Sequence, residues 1–428
     1  MNRKALPFIV ALCALLAMAG CRERYKTVKL TLNQSLNGAL LKIMRINYYW
    51  ADKLPQDVDF MAYESPYELM EVLRYRPIDK WSYVSTLTEY TAYYTGASYA
   101  GFGYASGFDA DGNYRISYVY PQAPMYKDYG IDRGWRIIAI EGQTPTRDNV
   151  DALLGPKESG LSRTFTFVTP KGDTVKHTLT KSHIKVNTVL KDTILSMGGR
   201  TIGYFNLSSF IEPTEQELFD VFAKFRARGV NELIVDLRYN GGGIVDAALT
   251  LGNLIAGAQH AGKIFCTFYH NNTKRQRDTN LLFRNMPDTS LTTLSRVAFI
   301  TSEGSASASE LLINALKPFM EVHCVGQRTH GKPVGMYTFP FANVDCVFVP
   351  ICFSGRNAND EGDYFDGLPV ETEAEDDILH SFGSPDEACM AAALRSLGID
   401  PGAKAKSRPV SKFTPITLHG LDAEIGAK

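Results

Sequence analysis

Two hydrophobic periodicities divide this chain. Between Leu36 and Tyr94 apolar residues recur at helical spacing. Leu36, Leu40, Leu41, Ile43 and Met44 lead into Tyr48, Tyr49 and Trp50, and Leu69, Met70 and Leu73 share one face of the stretch Pro66–Arg74. This predicts a small helical module over 36–95 with its aromatics in the core. Residues 96–185 change to short alternating strands with turn signals. One of these, Asp109-Ala-Asp-Gly-Asn113, resembles a calcium loop but has Tyr114 and Tyr120 at the positions that need glycine and an acid, so it reads as a hairpin turn.

From Thr201 strand and helix alternate. Ile202–Leu207, Leu233–Leu237 and Val297–Ile300 read as strands, and Glu215–Ala227, Ile244–Ile255 and Leu311–Leu316 as helices. The strand-like stretches near Cys324 and Val347 continue the series. Such repetition predicts an α/β domain over 186–399 with ligands at the strand ends. Residues 257–292, polar and rich in His, Asn and Arg, read as a surface insertion or lid. Residues 400–428 read as a loosely attached tail.

The first residues belong to neither pattern. Arg3 and Lys4 precede a mostly apolar run, Ala5–Ala19, too short to span a bilayer and laid out as a secretory signal over 1–20. Met18-Ala19-Gly20-Cys21 resembles a bacterial lipobox, which implies lipidation at Cys21, a polar tether over 21–35, and a body anchored by acyl chains in the cell envelope, on a periplasmic or surface face of a Gram-negative bacterium. Of the 428 residues 45% are hydrophobic and 21% charged, with a formal net charge of −1, so nothing points to nucleic acid. Beyond Cys13 and Cys21 five cysteines remain, without a C-x-x-C pair; they read as buried thiols with at most one or two disulfides, and no metal site or cofactor is expected.

The candidate chemistry lies at Gly304-Ser-Ala-Ser307-Ala-Ser-Glu310, small residues between a buried strand and a helix. A hydroxyl there sits near free N–H groups and the positive end of the helix dipole. Ser307-Ala-Ser-Glu310 also has the form of a capping box, so this stretch alone leaves a cap and a nucleophile both open. Two further segments join it: the glycine loop Asn240–Gly243 after the best buried strand, and Thr329-His-Gly-Lys332-Pro.

Together these segments resemble the carboxyl-terminal processing peptidases, which use a Ser–Lys dyad. The family's D-L-R-x-N-x-G-G loop corresponds to Asp236–Gly243, its S-A-S-A-S-E turn to Ser305–Glu310, and its T-x-G-K segment to Thr329–Lys332. The resemblance implies Ser307 as nucleophile and Lys332, 25 residues later, as its base. A serine hydroxyl needs such a base, and a desolvated lysine can serve as one. Ala308 with Gly242 or Gly243 would form the oxyanion hole, while Glu310 and Thr329 support the turn and the lysine, a role their reading as cap and loop residues rivals. Residues 96–185 resemble a PDZ domain: Gly101-Phe102-Gly103-Tyr104 matches the loop that receives a peptide carboxylate, and Val119–Pro124, Gly130–Gly134 and Ile137–Gly142 follow in the order usual for bacterial protease PDZ domains. Trp135 departs from that pattern, where an aspartate is usual. The family also implies a crotonase-like core and, as partners, unfolded or flexible protein and peptide C-termini.

A second departure falls beside the base. Many members carry a lysine-orienting glutamine where this chain has Met336, which leaves the third member of the site open. His330, near Lys332, reads as a loop histidine. Two other classes stay open: an inactive module that holds C-termini, and a ligand-binding or acyl-transfer protein on a crotonase-like core. The oligomeric state is not legible.

Overall fold

The structure is a computed structural model and describes residues 30–95, 99–286, 290–291, 294–402 and 413–415. The signal, Cys21 and most of the expected tether lie outside the described residues. No described helix is long and apolar enough to cross a membrane.

The N-terminal segment folds as α1 (Leu32–Asn47), α2 (Pro66–Leu73), β1 (Tyr83–Ser85) and α3 (Leu87–Tyr94). The Thr31 hydroxyl accepts from Gln34 N–H to start α1, and Ser65 caps α2 with Pro66 in its first turn. The predicted helical faces are buried: Leu40, Met44, Tyr48, Leu69 and Leu73 pack with Trp81 and Val84. The segment is not helical throughout, because β1 is a strand of a sheet built mostly from the distant chain.

Next comes an antiparallel module: β2 (Tyr99–Gly101), β3 (Tyr104–Asp109), β4 (Tyr114–Val119), α4 (Pro124–Tyr129), β5 (Arg136–Ile140), α5 (Val150–Leu154), β6 (Ser162–Val168), β7 (Thr174–Thr180) and β8 (Ser182–Ile184). β3 and β4 form the expected hairpin, and Asp109 accepts from Asp111 N–H and Asn113 N–H inside the turn. β3 to β7 lie side by side over a core of Phe108, Ile116, Ile137, Phe165 and Phe167. Trp135 packs edge-on against Phe167, its ring centroid 5.9 Å away.

The main sheet contains β9 (Val189–Met197), β10 (Arg200–Leu207), β11 (Glu232–Asp236), β14 (Arg296–Thr301), β15 (Glu321–Gly326) and β20 (Thr372–Glu373), in the order β20-β15-β14-β11-β10-β9. All neighbours are parallel except β9, which runs against β10. Helices α6 (Thr214–Ala227), α7 (Val245–Ala256) and α8 (Ala308–Leu316) cover one face, against Phe205, Leu233, Val235 and Phe299. Helix α9 (Ala388–Ser396) covers the other, against Ile202, Tyr204, Ile234 and Ile300. Both faces of β10, β11 and β14 are covered, so the middles of these strands read as continuous apolar runs.

Two expectations need correction. The 257–292 segment is no simple insertion: β12 (Ile264–His270) and β13 (Thr279–Leu282) join β19 (Ile351–Arg356) and β16 (Val334–Met336) in an antiparallel sheet that buries Phe265, Cys266 and Phe283. Two of its polar residues, His270 and Asn271, are buried with partners, Asn271 donating to the carbonyls of Ile46 and Tyr48, while the stretch 275–280 is exposed. The strand at Val347, β18 (Cys346–Val349), lies outside the main sheet, between β1 and β17 (Phe339–Phe341). Of the tail's described residues, β21 (Phe413–Pro415) pairs with β3. All five cysteines among the described residues are buried and free.

Candidate active site

Ser307 ends the turn between β14 and α8 with φ 55 and ψ −112. That is the geometry of the first central position of a type II′ turn, normally glycine. Holding a serine there costs about 1–3 kcal/mol, which the surrounding contacts must supply. Ser305 Oγ donates to the carbonyl of Leu237 (2.9 Å), Ser309 Oγ to that of Asn240 (3.0 Å), and Ala306 N–H to Asn240 O (3.1 Å). The neighbouring serines bolt the turn to the glycine loop, and Ser307 stands half-buried between them.

Glu310 joins this turn to the lysine segment. Its carboxylate, wholly buried, accepts from Ser307 N–H (2.9 Å) and Lys332 N–H (2.8 Å) on Oε2, and from Gly331 N–H (2.7 Å) and Thr329 Oγ1 (2.5 Å) on Oε1. Burial pushes its carboxyl up, against the pull of those donors. The Thr329 hydroxyl in turn accepts from Leu368 N–H (2.6 Å). His330 is committed elsewhere, its Nε2 accepting from Trp81 Nε1 (3.1 Å).

The Lys332 side chain is buried. Desolvation lowers its pKa to about 8, although Asp79 and Glu310 pull it upward. Nζ lies 3.8 Å from Met336 Sδ and 5.9 Å from the Trp81 ring centroid. Asp79 and Trp81 are neighbours that sequence reasoning missed. Their only signal was burial within an aromatic stretch, which looked like core.

The glycine loop closes on the same turn. A Cβ on Gly242, at φ 103, would meet Ser307 Cβ at 2.8 Å and Ala308 N at 2.9 Å; one on Gly243, at φ 136, would meet Phe210 O at 2.0 Å. Only glycine fits either place. Gly242 N–H donates to Asn240 Oδ1 (2.9 Å). Gly243 N–H and Ala308 N–H make no hydrogen bond among the described residues.

A buried ionic network anchors this loop from below. Arg238 pairs with Asp236 (2.7 Å), Glu387 (2.9 Å) and Asp376 (2.8 Å). Asp376 also binds Arg133 (2.5 Å) of the antiparallel module and the hydroxyl of Tyr239, a loop residue at φ 68.

Ser307, Ala308, Glu310, Thr329, Lys332, Gly242 and Gly243 are thus brought together. Gly101–Tyr104 is not part of this group: Phe102 packs on Phe165 and under Lys181, and Gly103 O accepts from Tyr120 N–H, all within the antiparallel module. Among the described residues no group of His, Cys, Asp and Glu side chains could hold a metal ion.

A strained serine, a buried lysine of lowered pKa and two open N–H groups can supply a nucleophile, a base and oxyanion donors. Comparison with known proteins narrows the class. Residues 201–352 match Peptidase family S41 and residues 35–83 the Peptidase S41 N-terminal domain. It is 28% identical over 247 residues to the carboxy-terminal processing protease CtpA of Bacillus subtilis, covering 55% of this chain and 48% of that one. It is 27% identical over 212 residues to the carboxyl-terminal-processing protease of Synechocystis, covering 48% and 46%. The chain thus spans about half the length of these curated relatives. A candidate S41 protease crystallised from Bacteroides fragilis shares the fold, with a TM-score of 0.73 over 88% of this chain and 99% of that one, at 23% identity.

Proposed function

We propose that this protein is a serine endopeptidase in which Ser307 attacks and Lys332 is the base. The observation that carries this reading is the Glu310 carboxylate, which holds the backbones of Ser307 and a desolvated lysine on one side chain. Neutral Lys332 Nζ takes the Ser307 hydroxyl proton as Oγ bonds to the scissile carbonyl carbon. The oxyanion is received by Ala308 N–H and Gly243 N–H; Gly242 N–H already has a partner in Asn240. Such a donor contributes about 3 kcal/mol to the transition state. The lysine ammonium then protonates the leaving amine, and water, deprotonated by Lys332, hydrolyses the acyl-enzyme.

In this reading 186–399 is a crotonase-like protease core and 96–185 a PDZ-like module, whose Gly101-Phe102-Gly103-Tyr104 loop receives a C-terminus and delivers a flexible chain to Ser307. Its support is the glycine-rich loop leading straight into β3, an antiparallel strand beside which a peptide could add. Residues 36–95 are an N-terminal module, helical except for β1, and Cys21 is a lipid anchor in the cell envelope of a Gram-negative bacterium.

The test compares the protein with Ser307→Ala and Lys332→Ala on an unfolded protein with an apolar C-terminus. Cleavage by the unsubstituted protein alone supports the reading. Cleavage that survives Ser307→Ala overturns it, and binding without cleavage by any of the three makes the chain a holder of C-termini.

A further inference from the structure

The wall around Lys332 is built partly by the N-terminal segment. Asp79, wholly buried, accepts from Tyr48 Oη on Oδ2 (2.6 Å) and from the backbone N–H groups of Trp81 and Ser82 on Oδ1 (2.9 Å each). Tyr48 Oη accepts in turn from Tyr75 N–H (2.9 Å), and Ser82 Oγ from Ile351 N–H (2.9 Å), which ties this loop to the strand beside β16. The Trp81 indole then reaches across to donate to His330, two residues before Lys332, with its ring 5.9 Å from Nζ. Met336, where the family resemblance implies an orienting glutamine in many members, offers Nζ a thioether, a weak acceptor.

We propose that Trp81, fixed by Asp79 at its backbone and by His330 at its indole, is the positioning residue for Lys332, so that the N-terminal segment completes the active site. This rests on the Ser307–Lys332 reading. The charged and titratable groups around Nζ are Asp79 and Glu310, with Tyr48 and Arg74 behind Asp79 and His330 on the lysine's own loop. Trp81→Phe removes the indole donor and admits water, so Lys332 holds its proton to higher pH. Asp79→Asn keeps the acceptor for Trp81 N–H but removes a charge that favours the ammonium, so Lys332 loses its proton at lower pH.

The experiment titrates Lys332 in full-length protein labelled at the lysine ε-carbon, with the signal assigned by its loss in Lys332→Met. Peptide cleavage is followed in parallel. The expected result is displacement of the midpoint by roughly half a unit to one unit, upward in Trp81→Phe and downward in Asp79→Asn, with the acid limb of kcat/KM following. General loosening of the fold cannot produce both directions, and either variant alone tests its own. Unchanged midpoints in folded variants overturn the inference while the dyad stands. A Lys332→Met protein that still cleaves overturns the dyad instead.

The C-terminus carries a second, independent proposal. β21 pairs antiparallel with β3, Phe413 opposite Asp109, Thr414 opposite Phe108 and Pro415 opposite Gly107. β3 has β4 on its other side, so β21 covers the free edge and runs toward the Gly101–Tyr104 loop that opens the strand. Phe413 is buried there, 8% exposed. We infer that the chain's own tail occupies the edge along which an incoming C-terminal peptide would add, as a competing ligand in cis.

This rests on the reading of Gly101–Tyr104 as a carboxylate loop. The test measures binding of a fluorescent peptide with a free apolar C-terminus to full-length Ser307→Ala and to the same chain with Phe413→Asp. If the tail covers the edge most of the time, releasing it tightens binding about fivefold or more. Equal affinities overturn the inference and leave the loop's role intact. No binding to either chain, or binding unaffected by amidating the peptide C-terminus, overturns the loop's role and the inference with it.

Discussion

Glu310 Oε2 accepts from Ser307 N–H at 2.9 Å and from Lys332 N–H at 2.8 Å, so one oxygen fixes the spacing of two segments 25 residues apart. Glu310→Gln keeps the shape, but an amide nitrogen must face N–H donors on one side. At least one of four hydrogen bonds is lost and a buried donor is orphaned, which costs about 1–3 kcal/mol. The expected outcome is a folded protein with a lower denaturation midpoint and a kcat reduced about a hundredfold, because reacting groups displaced by an ångström lose about that factor. Near-normal kcat in the folded variant would show that the spacing is set elsewhere.

Lys332 makes a statement about pH. With Lys332 as the proposed base, activity requires the neutral amine, so kcat/KM is expected to rise through a midpoint near pH 8. Stability follows the same group: folding lowers its pKa from 10.5 to about 8, so the unfolded chain holds the extra proton between those values and wild-type stability increases with pH there. Below the window the buried ammonium costs on the order of 3 kcal/mol. Lys332→Met, similar in volume, is expected to be inactive yet more stable than wild type at neutral pH by up to that amount, with the gap closing as pH rises past the window. Urea unfolding at two pH values measures both.

Gly242→Ala tests the approach of the glycine loop. The added methyl meets Ser307 Cβ and Ala308 N at under 3 Å from a backbone position unsuited to alanine. Peptide cleavage is expected to fall at least about a hundredfold, the order of an oxyanion donor, while unfolding shows a loss of only about 1–2 kcal/mol. A variant that keeps its activity would show that the turn can yield without moving the reacting groups.

The strands β10, β11 and β14 were legible because helices cover both faces and their central residues are apolar. The turn at Ser307, the glycine loop and Lys332 were legible as local patterns. What held them together was not: Glu310 looked like an ordinary cap, and its bonds to Thr329, Gly331 and Lys332 depend on two segments meeting in space. Asp79 and Trp81 looked like core because they are core, and only the position of His330 and Lys332 beside them gives them a second use. The 257–292 segment was misread because buried polar groups such as His270 and Asn271 find partners in Asp278, Tyr337 and the Ile46 and Tyr48 carbonyls. Composition counts such residues as surface.

Arg133 and Asp376 are 243 residues apart and form the ion pair that joins the antiparallel module to the support of the glycine loop. Burial pushes the Asp376 carboxyl up, but Arg133 and Arg238 outweigh it and hold it below the usual carboxylate range. Arg133→Met leaves Asp376 with Arg238 and Tyr239, so the loss falls below the 3–5 kcal/mol of an uncompensated buried charge, at about 2 kcal/mol. A depressed carboxyl contributes stability above its unfolded pKa and loses it as pH falls through the folded value. The difference between wild type and Arg133→Met is therefore expected in full at neutral pH and to shrink below about pH 4. Tyr239 shares Asp376 and precedes Asn240, so the variant is also expected to lower kcat more than it raises KM, by loosening the loop that holds Gly242 and Gly243. Chemical unfolding at two pH values, with steady-state cleavage of one peptide, separates these effects. A stability gap that persists in acid would show that Arg133 acts by packing on Phe382, 4.3 Å from its guanidinium, and not through its charge.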